Sequence, residues 1–193
     1  MSSVIISGDT SGAITVSAPA VAGTNTLTLQ AATATNSVNT LATAVASTSG
    51  TSIDFTGLPS WIKRITVMFS GVSLSSTANI LIQLGVSGTP ETSGYTSVGN
   101  VTTASGVAQV TSTAGFIIYA GTASYLQNGA VRLHNITGNT WVADGVLCNT
   151  TTQNYTAFVA GSKALAGVAN MVRITSTSTD TFDAGSVNIL YEG

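Results

Sequence analysis

Two neighbouring carboxylates are the first residues whose types and spacing could carry chemistry. Asp180 and Asp183 lie in the run STDTFDAGS and are the only near neighbours among the acids after residue 45. Glycoside hydrolysis needs two carboxyl groups about 5 to 9.5 Å apart, and carboxylate oxygens also bind hard cations. Asp beside Gly and Ser, however, is typical of turns in which the side chain caps its own backbone. We therefore predict a turn here, with no catalytic residue and no metal site.

The sole histidine and the sole cysteine give no stronger indication of catalysis. His134, in VRLHNI, shares a strand face with Arg132, and no G-x-S-x-G motif marks a nucleophilic serine. We predict a hydrogen-bonded strand histidine, with a ring of three copies of His134 around a trimer axis, binding a metal or an anion, as the alternative. Alternation along WVADGVLC places Cys148 on the same strand face as Asp144 and Val146, and Cys148 is predicted to be a small buried side chain. The expected protein is not an enzyme and needs no cofactor.

Lys63 and Arg64 form a basic pair close to Trp61, in the run LPSWIKRITVMF, and could instead bind a phosphate or a sugar. Alternation gives this stretch an apolar face opposite Arg64, as expected for a two-sided strand. The run RITVMFSGVSLSSTANIL (64–81) also matches RITSTSTDTFDAGSVNIL (173–190) without a gap at Arg, Ile, Thr, Asn, Ile and Leu. The recurrence favours a structural role: Arg64 and Arg173 are predicted at equivalent strand starts in two halves of one sandwich, with Trp61 packed near the start of its strand.

The composition limits the possible partners. Only 6% of the 193 residues are charged, and the net charge is −2. No basic face can neutralise several phosphates, so we expect no nucleic-acid binding, and no apolar run approaches the ~20 residues that cross a bilayer. The start lacks the basic and apolar regions of a signal peptide. A surface with so few charges suits burial in an assembly.

Short runs rich in Val, Ile and Thr, separated by Gly, Ser and Asn turns, predict an all-β fold. We assign residues 1–45 to an N-terminal β arm and linker, with strand-like runs VIIS, AITVSA and TNTLTLQ, in which Leu27 and Leu29 would bury against other subunits. Residues 46–193 are predicted to form a jelly-roll-like β-sandwich. Its expected strands are 51–55, 61–69, 79–84, 107–112, 115–120, 130–136, 140–148, 154–160, 170–176 and 186–191.

Aromatic residues in the middle of the chain could form a carbohydrate platform. Tyr95 and Tyr125 fall in predicted loops, which makes them the candidate receptor- or glycan-binding residues. The strand aromatics Tyr119, Trp141 and Phe158 are expected in the core.

The chain resembles, in three phrases, a widespread bacteriophage virion module that is found at the ends of tail-fibre and related structural proteins. The phrases are SGDTSGAITVSAPAVAGTNTLTL, STSGTSIDFTGLPSWIKRITVMFSGVS and the closing VRIT…DTFDAGSVNILYE. The resemblance covers most of the chain, with a more variable middle from about 85 to 165. It implies a virion component, homotrimeric, that contributes to attachment to the bacterial surface, and it carries over no catalytic residues.

The resemblance sets the expected partners and location. We expect the chain to bind copies of itself in a homotrimer, other virion proteins through the N-terminal arm, and a bacterial surface glycan or protein. The expected location is the virion, after synthesis in the bacterial cytoplasm. In a long fibre the opening phrase follows a shaft, whereas here it begins at Met1. A capsid decoration or head-fibre protein is therefore the alternative, and a glycan-binding or glycan-cleaving tip is the second.

Overall fold

The chain divides into two compact units, residues 1–36 and 37–193. In the first unit, strand β1 (Ser3–Ser7) pairs antiparallel with strand β2 (Ala13–Ser17). These strands coincide with the runs VIIS and AITVSA, whereas Leu27 and Leu29 lie outside the described residues. The computed structural model describes residues 3–7, 13–17, 39–103, 106–123, 125–150 and 155–193.

The second unit is a sandwich of two antiparallel β-sheets, which confirms the predicted all-β sandwich. Within the described residues the unit contains strands and turns only. Its strands are β3 (Asn39–Leu41), β4 (Val45–Ala46), β5 (Ser52–Thr56), β6 (Arg64–Leu74), β7 (Ile80–Val86), β8 (Thr89–Pro90), β9 (Tyr95–Thr103), β10 (Gly106–Ser112), β11 (Phe116–Ile118), β12 (Leu126–Thr137), β13 (Thr140–Thr150), β14 (Tyr155–Ala164), β15 (Ala169–Ser176) and β16 (Phe182–Glu192).

The larger sheet has the strand order β10-β9-β14-β13-β12-β6-β16-β3, and β4 also pairs with β16. The smaller sheet has the order β11-β7-β15-β5, and β8 pairs with β7. The chain crosses between the sheets from β6 to β7 and crosses back from β15 to β16. Residues 64–81 and 173–190 are the two segments that match in sequence. Because β6 pairs with β16 and β7 pairs with β15, these segments lie side by side and cross between the sheets in opposite directions.

The core lies between the sheets and follows from alternation along the strands. In β6, Ile65, Val67 and Phe69 are buried while Arg64 and its alternate neighbours face outward. Val172 and Ile174 of β15 are fully buried in the facing sheet. Burying each such side chain stabilises the fold by about 1.5–3 kcal/mol before the cost in chain entropy.

All ten strands expected from the sequence occur, with shifted ends, but two regions differ from the prediction. Residues 39–41 and 45, assigned to the linker, form β3 and, together with Ala46, β4, and both strands pair with β16. Main-chain pairing holds these two short strands to the edge of the larger sheet. The second difference is β9, which was predicted as a loop around Tyr95 and instead pairs with both β10 and β14.

A largely buried ion pair holds the segment before β9 against β14. The Lys163 ammonium lies 2.5 Å from a carboxylate oxygen of Glu91, and the Lys163 side chain is only 7% exposed. The other Glu91 oxygen accepts a hydrogen bond from the Ala166 N–H at 2.8 Å. Burial would raise the pKa of Glu91, but the hydrogen bonds from Lys163 and Ala166 together lower it below its ordinary value.

This ion pair predicts a loss of stability in acid. Because the folded-state pKa of Glu91 is lowered, its contribution is complete above the ordinary pKa of a glutamate and is lost as pH falls through the lowered value. Glu91→Gln is expected to destabilise the fold by about 1–3 kcal/mol at neutral pH. Denaturant unfolding of both proteins should show this difference shrinking from about pH 5 downward. A difference that stays constant with pH would contradict the assignment.

Candidate functional site

An apolar strip crosses the outer face of the larger sheet. Phe158 on β14, Val146 on β13, Ala130 on β12 and Met68 on β6 are successive cross-strand partners, and Val98 lies on the adjoining row of β9. Phe158 is 44% exposed, Val146 52% and Val98 37%. These five residues are called the apolar strip below. Phe158 was predicted in the core, but the register places Ala157 and Val159 inward and Phe158 outward.

A shallow depression of about 330 Å³ lies within the strip. Val98, Val146 and Phe158 line it together with Asn100 and Asp144. Contiguous exposed apolar patches of this kind mark interaction sites more often than scattered apolar residues do. The depression has room for an apolar side chain of a partner.

Most of the few charged side chains form ion pairs with one another within the sandwich. In the described part of the chain, four of the five basic residues form ion pairs with carboxylates. The pairs are Arg64–Glu192, Arg132–Asp144, Lys163–Glu91 and Arg173–Asp54. The outer surface therefore carries little unpaired charge, which would otherwise oppose its burial against another subunit.

The matching arginines share a role. Each faces outward and makes a forked ion pair with a carboxylate directly opposite on the next strand: Arg64 with Glu192, and Arg173 with Asp54 at 2.7 Å for both bonds. The hydrogen bond from Arg64 lowers the pKa of Glu192. One part of the prediction is wrong, because Arg64 begins β6 whereas Arg173 is the fifth residue of β15. The Trp61 ring lies before β6, 6.0 Å from the ring of Tyr191.

His134 lies beside the apolar strip on the outer face. Its Nε2 is 3.3 Å from Asp144 Oδ1, and Arg132 Nη2 is 2.5 Å from the other oxygen of the same carboxylate. All three side chains are between 39% and 55% exposed. Screening by water makes such exposed pairs worth little to stability. The group forms a polar border beside the apolar strip.

The remaining polar candidates have structural partners. The Asp180 carboxylate accepts a hydrogen bond from the Ala78 N–H at 2.9 Å, and the Asp183 carboxylate accepts one from the Ser73 hydroxyl. Cys148 is exposed on the outer face; the prediction that it is buried is wrong because the inward positions of β13 are the alternate ones, such as Leu147 and Asn149. Within the described residues, no three His, Cys, Asp or Glu side chains are grouped so as to hold a metal ion.

Tyr95 does not lie on an exposed loop, and its assignment to glycan binding is wrong. It begins β9 and is only 2% exposed. Its ring meets Phe116 edge to face, with the ring centroids 5.1 Å apart. Its hydroxyl oxygen accepts a hydrogen bond from the Leu84 N–H at 2.8 Å and donates one to the Leu84 carbonyl at 3.3 Å. Burial raises the pKa of Tyr95 well above its ordinary value, so the hydroxyl stays neutral and holds β9 to β7.

Removing this hydroxyl is expected to cost stability without changing the fold. Tyr95→Phe leaves the buried Leu84 N–H without its partner, which costs about 1–3 kcal/mol. Tyr191→Phe, in a partly buried ring on β16, is the matched control and is expected to change stability by less than about 0.5 kcal/mol. Thermal and denaturant unfolding measure both, and equal effects from the two variants would contradict the role of the Tyr95 hydroxyl.

Tyr125 belongs to a cluster of three tyrosines at one end of the sandwich. It precedes β12, and its ring lies 5.7 Å from that of Tyr155, at an interplanar angle of 63°. Burial raises the pKa of Tyr125, and the hydroxyls of Tyr155 and then Tyr119 raise it further. All three side chains are partly exposed. The prediction included Tyr125 and missed Tyr155 as a site residue, and Tyr119 was expected in the core.

Beside the tyrosine cluster, two amide side chains are buried without partners. Gln127, Asn149 and Tyr155 are successive cross-strand partners on β12, β13 and β14, on the inward face of the larger sheet. Gln127 and Asn149 are fully buried. Neither amide nitrogen and neither amide oxygen has a hydrogen-bond partner in the described part of the structure. Such a pair of unsatisfied groups is rare in native proteins, and alternation from Trp141 along β13 could have identified Asn149 as inward-facing.

No family model, curated protein or solved structure matches the chain. Across the described residues, the structure has no helix with the length and apolar character needed to cross a membrane.

Proposed function

We propose that the protein is a structural component of a bacteriophage virion, of tail-fibre type, that assembles as a homotrimer and contributes to attachment to the host surface. The observation that carries the assembly role is the apolar strip. In a monomer, Phe158 and Val146 remain exposed to water on the sheet face, which is unfavourable. Association with other copies of the chain would bury both side chains and make that free energy favourable.

The use of charge supports the same proposal. With 6% charged residues and four of the described basic side chains already paired within the fold, burial of the outer face would leave few charges without a partner. Cyclic symmetry then lets three copies close without leaving an exposed strip. The sequence resemblance to virion modules is the basis for placing the protein in a virion. Residues 1–36 are the segment that would bind another virion protein.

Light scattering on the purified full chain tests the oligomeric state. We expect the molar mass of three chains at micromolar protein concentration. A monomer across the same range would contradict the proposal, and a dimer would contradict the trimer while retaining self-association.

Imaging of the phage particle tests the location. We expect density for this chain at the tail. In a separate adsorption assay, we expect the purified protein to compete with phage for binding to host cells. Density on the capsid, with no competition at saturating protein, would instead favour the decoration role.

A glycan-binding tip is the second candidate, and the tyrosine cluster favours it. Cleavage of a glycan has no comparable support, because the carboxylates of Asp180 and Asp183 are hydrogen-bonded to the fold.

A further inference from the structure

The larger sheet ends at β10, and this edge is open. β10 pairs with β9 through seven consecutive residues without a register shift, and no strand of the described chain pairs with its other side. An edge strand presents a row of unpaired main-chain N–H and C=O groups that can pair with a strand of another chain. β10 therefore offers main-chain hydrogen-bonding groups that the described sandwich leaves unused.

The other edge strands are protected, whereas β10 is not. Proteins protect an edge by keeping its strand short or by placing a charge, a proline or a bulge on it. β3, β4, β8 and β11 have two or three residues each, and β5 carries Asp54 in an ion pair with Arg173. β10 (GVAQVTS) is longer and has no charge, proline or bulge, and its Val107 is 66% exposed. An edge of this kind is suited to receive a strand from a partner.

The inward row of β10 is also incompletely covered. Ala108 and Val110 lie on this row and are partly exposed, whereas their cross-strand partners on β9, Val101 and Gly99, are buried. A strand added beyond β10 would extend the larger sheet, and apolar side chains on its inward row would cover Ala108 and Val110. The partner that fits this edge is an extended, uncharged segment in which apolar and polar residues alternate.

The run TNTLTLQ (24–30) is a segment of that kind. It has seven residues, as β10 has, and carries no charge. Alternation along an extended chain puts Leu27 and Leu29 on one side and Thr26 and Thr28 on the other. Paired with β10, the run would place its two leucines on the inward row and its threonines on the outer face.

The length of the chain favours a second copy as the donor of this run. The main path of the larger sheet has eight strands, so β3 and β10 are seven strand spacings apart, which is about 33 Å. Residues 31–38 join the run to Asn39 at the start of β3, and such a length of chain spans at most about 29 Å when fully extended. The run is therefore too short a distance from β3 to add to β10 of its own copy.

We propose that residues 24–30 of a second copy add to β10 as a further strand of the larger sheet. The inference rests on the proposed self-assembly and deepens it by naming the donor segment and the accepting edge. The apolar strip reaches this edge, because Val98 on β9 pairs with Thr111 on β10, so a neighbouring copy can cover both surfaces. In a cyclic trimer each copy donates one run and accepts one.

Amide hydrogen exchange of the purified full chain tests whether the edge is occupied. In a free edge strand about half of the amides point away from the sheet and exchange rapidly, whereas pairing on both sides protects nearly all of them. We expect nearly all amides of residues 106–112 to be protected at micromolar protein concentration, and about half to lose protection on dilution to monomers. Rapid exchange of half of them in the assembled protein overturns the proposal, and so does full protection that persists in the monomer.

A proline variant identifies the donor. Proline lacks a main-chain N–H and is poorly tolerated within a paired strand, so Leu27→Pro is expected to remove the protection from about half of the amides of β10. The other strands of the sandwich should keep their protection. Ala32→Pro, between the run and β3, is the matched control and is expected to leave β10 protected. Unchanged protection of β10 in Leu27→Pro overturns the proposal, and the dilution experiment decides it if that variant cannot be purified.

Light scattering on the same samples separates this inference from the proposed function. A trimer in which the amides of β10 exchange as in a free edge upholds the assembly and overturns the donated strand. A dimer in which β10 is protected, and loses that protection in Leu27→Pro, upholds the donated strand and contradicts the trimer.

Discussion

Phe158→Glu is expected to convert the assembled protein into folded monomers. The substitution places a carboxylate within the apolar strip, where Phe158 neighbours Val146 on the next strand. Burying an unpaired charge in an interface costs about 3 kcal/mol or more, which weakens association more than a hundredfold. Because residue 158 faces outward, the core is untouched, and light scattering should report monomers with an unchanged circular dichroism spectrum.

The control for this prediction is a carboxylate on the other sheet. Thr56 is exposed at the end of β5, so Thr56→Glu adds the same charge away from the strip. We expect it to retain the native oligomer. If Phe158→Glu also remains trimeric at micromolar concentration, the strip is not the interface; if both variants dissociate, net charge and not position controls association.

Gly185→Ala is expected to give the largest loss of stability of any single methyl group added to the protein. Gly185 has a φ of +88°, a conformation that residues with a side chain rarely adopt. A Cβ here would overlap main-chain atoms of Ser70 and Gly71, where the β6–β16 pairing shifts register. Strain and displacement together should cost about 3 kcal/mol or more, or roughly 10 °C in melting temperature.

A second glycine separates crowding from backbone strain. Gly88 has a φ of +77°, but a Cβ there would meet no atom within 4 Å. Gly88→Ala therefore carries the conformational cost alone, which is about 1 kcal/mol. Equal melting temperatures for the two alanine variants would show that β6 and β16 can separate without loss.

Sequence reasoning succeeded where a strand has one clearly apolar face. Ile65, Val67 and Phe69 alternate with polar or exposed residues, and the structure buries them as the pattern predicts. It failed at β9 because two inward positions in the middle of that strand, Ser97 and Gly99, are small. The Ser97 hydroxyl accepts a hydrogen bond from the Ile117 N–H at 2.9 Å, and a Cβ at Gly99 would overlap the Ile117 carbonyl. Because β11 lies so close to β9, only small residues fit at these positions. Without large apolar residues at alternate positions, the sequence pattern did not indicate a strand.

The functional sites were less predictable because they depend on register between distant segments. The apolar strip needs β14, β13, β12 and β6 to align Phe158 with Val146, Ala130 and Met68, and no local pattern fixes that alignment. Tyr125 was chosen for its loop, yet its partner Tyr155 is placed only when β12 and β14 flank β13. Local pattern predicted which residues alternate, but only the folded sheets determine which of them meet.

The pairing of β3 and β4 with β16 has a mechanical consequence. Asn39 pairs with Glu192 at the last position of β16, and β3 and β4 together add only short stretches of ladder to that edge. Tension that reaches the sandwich through Asn39 acts first on these few pairs, so β3 should peel away from β16 before the main sheet is loaded. The peeled chain would lengthen by about 3.3 Å for each residue released, so the protein could extend under tension while its core stays folded.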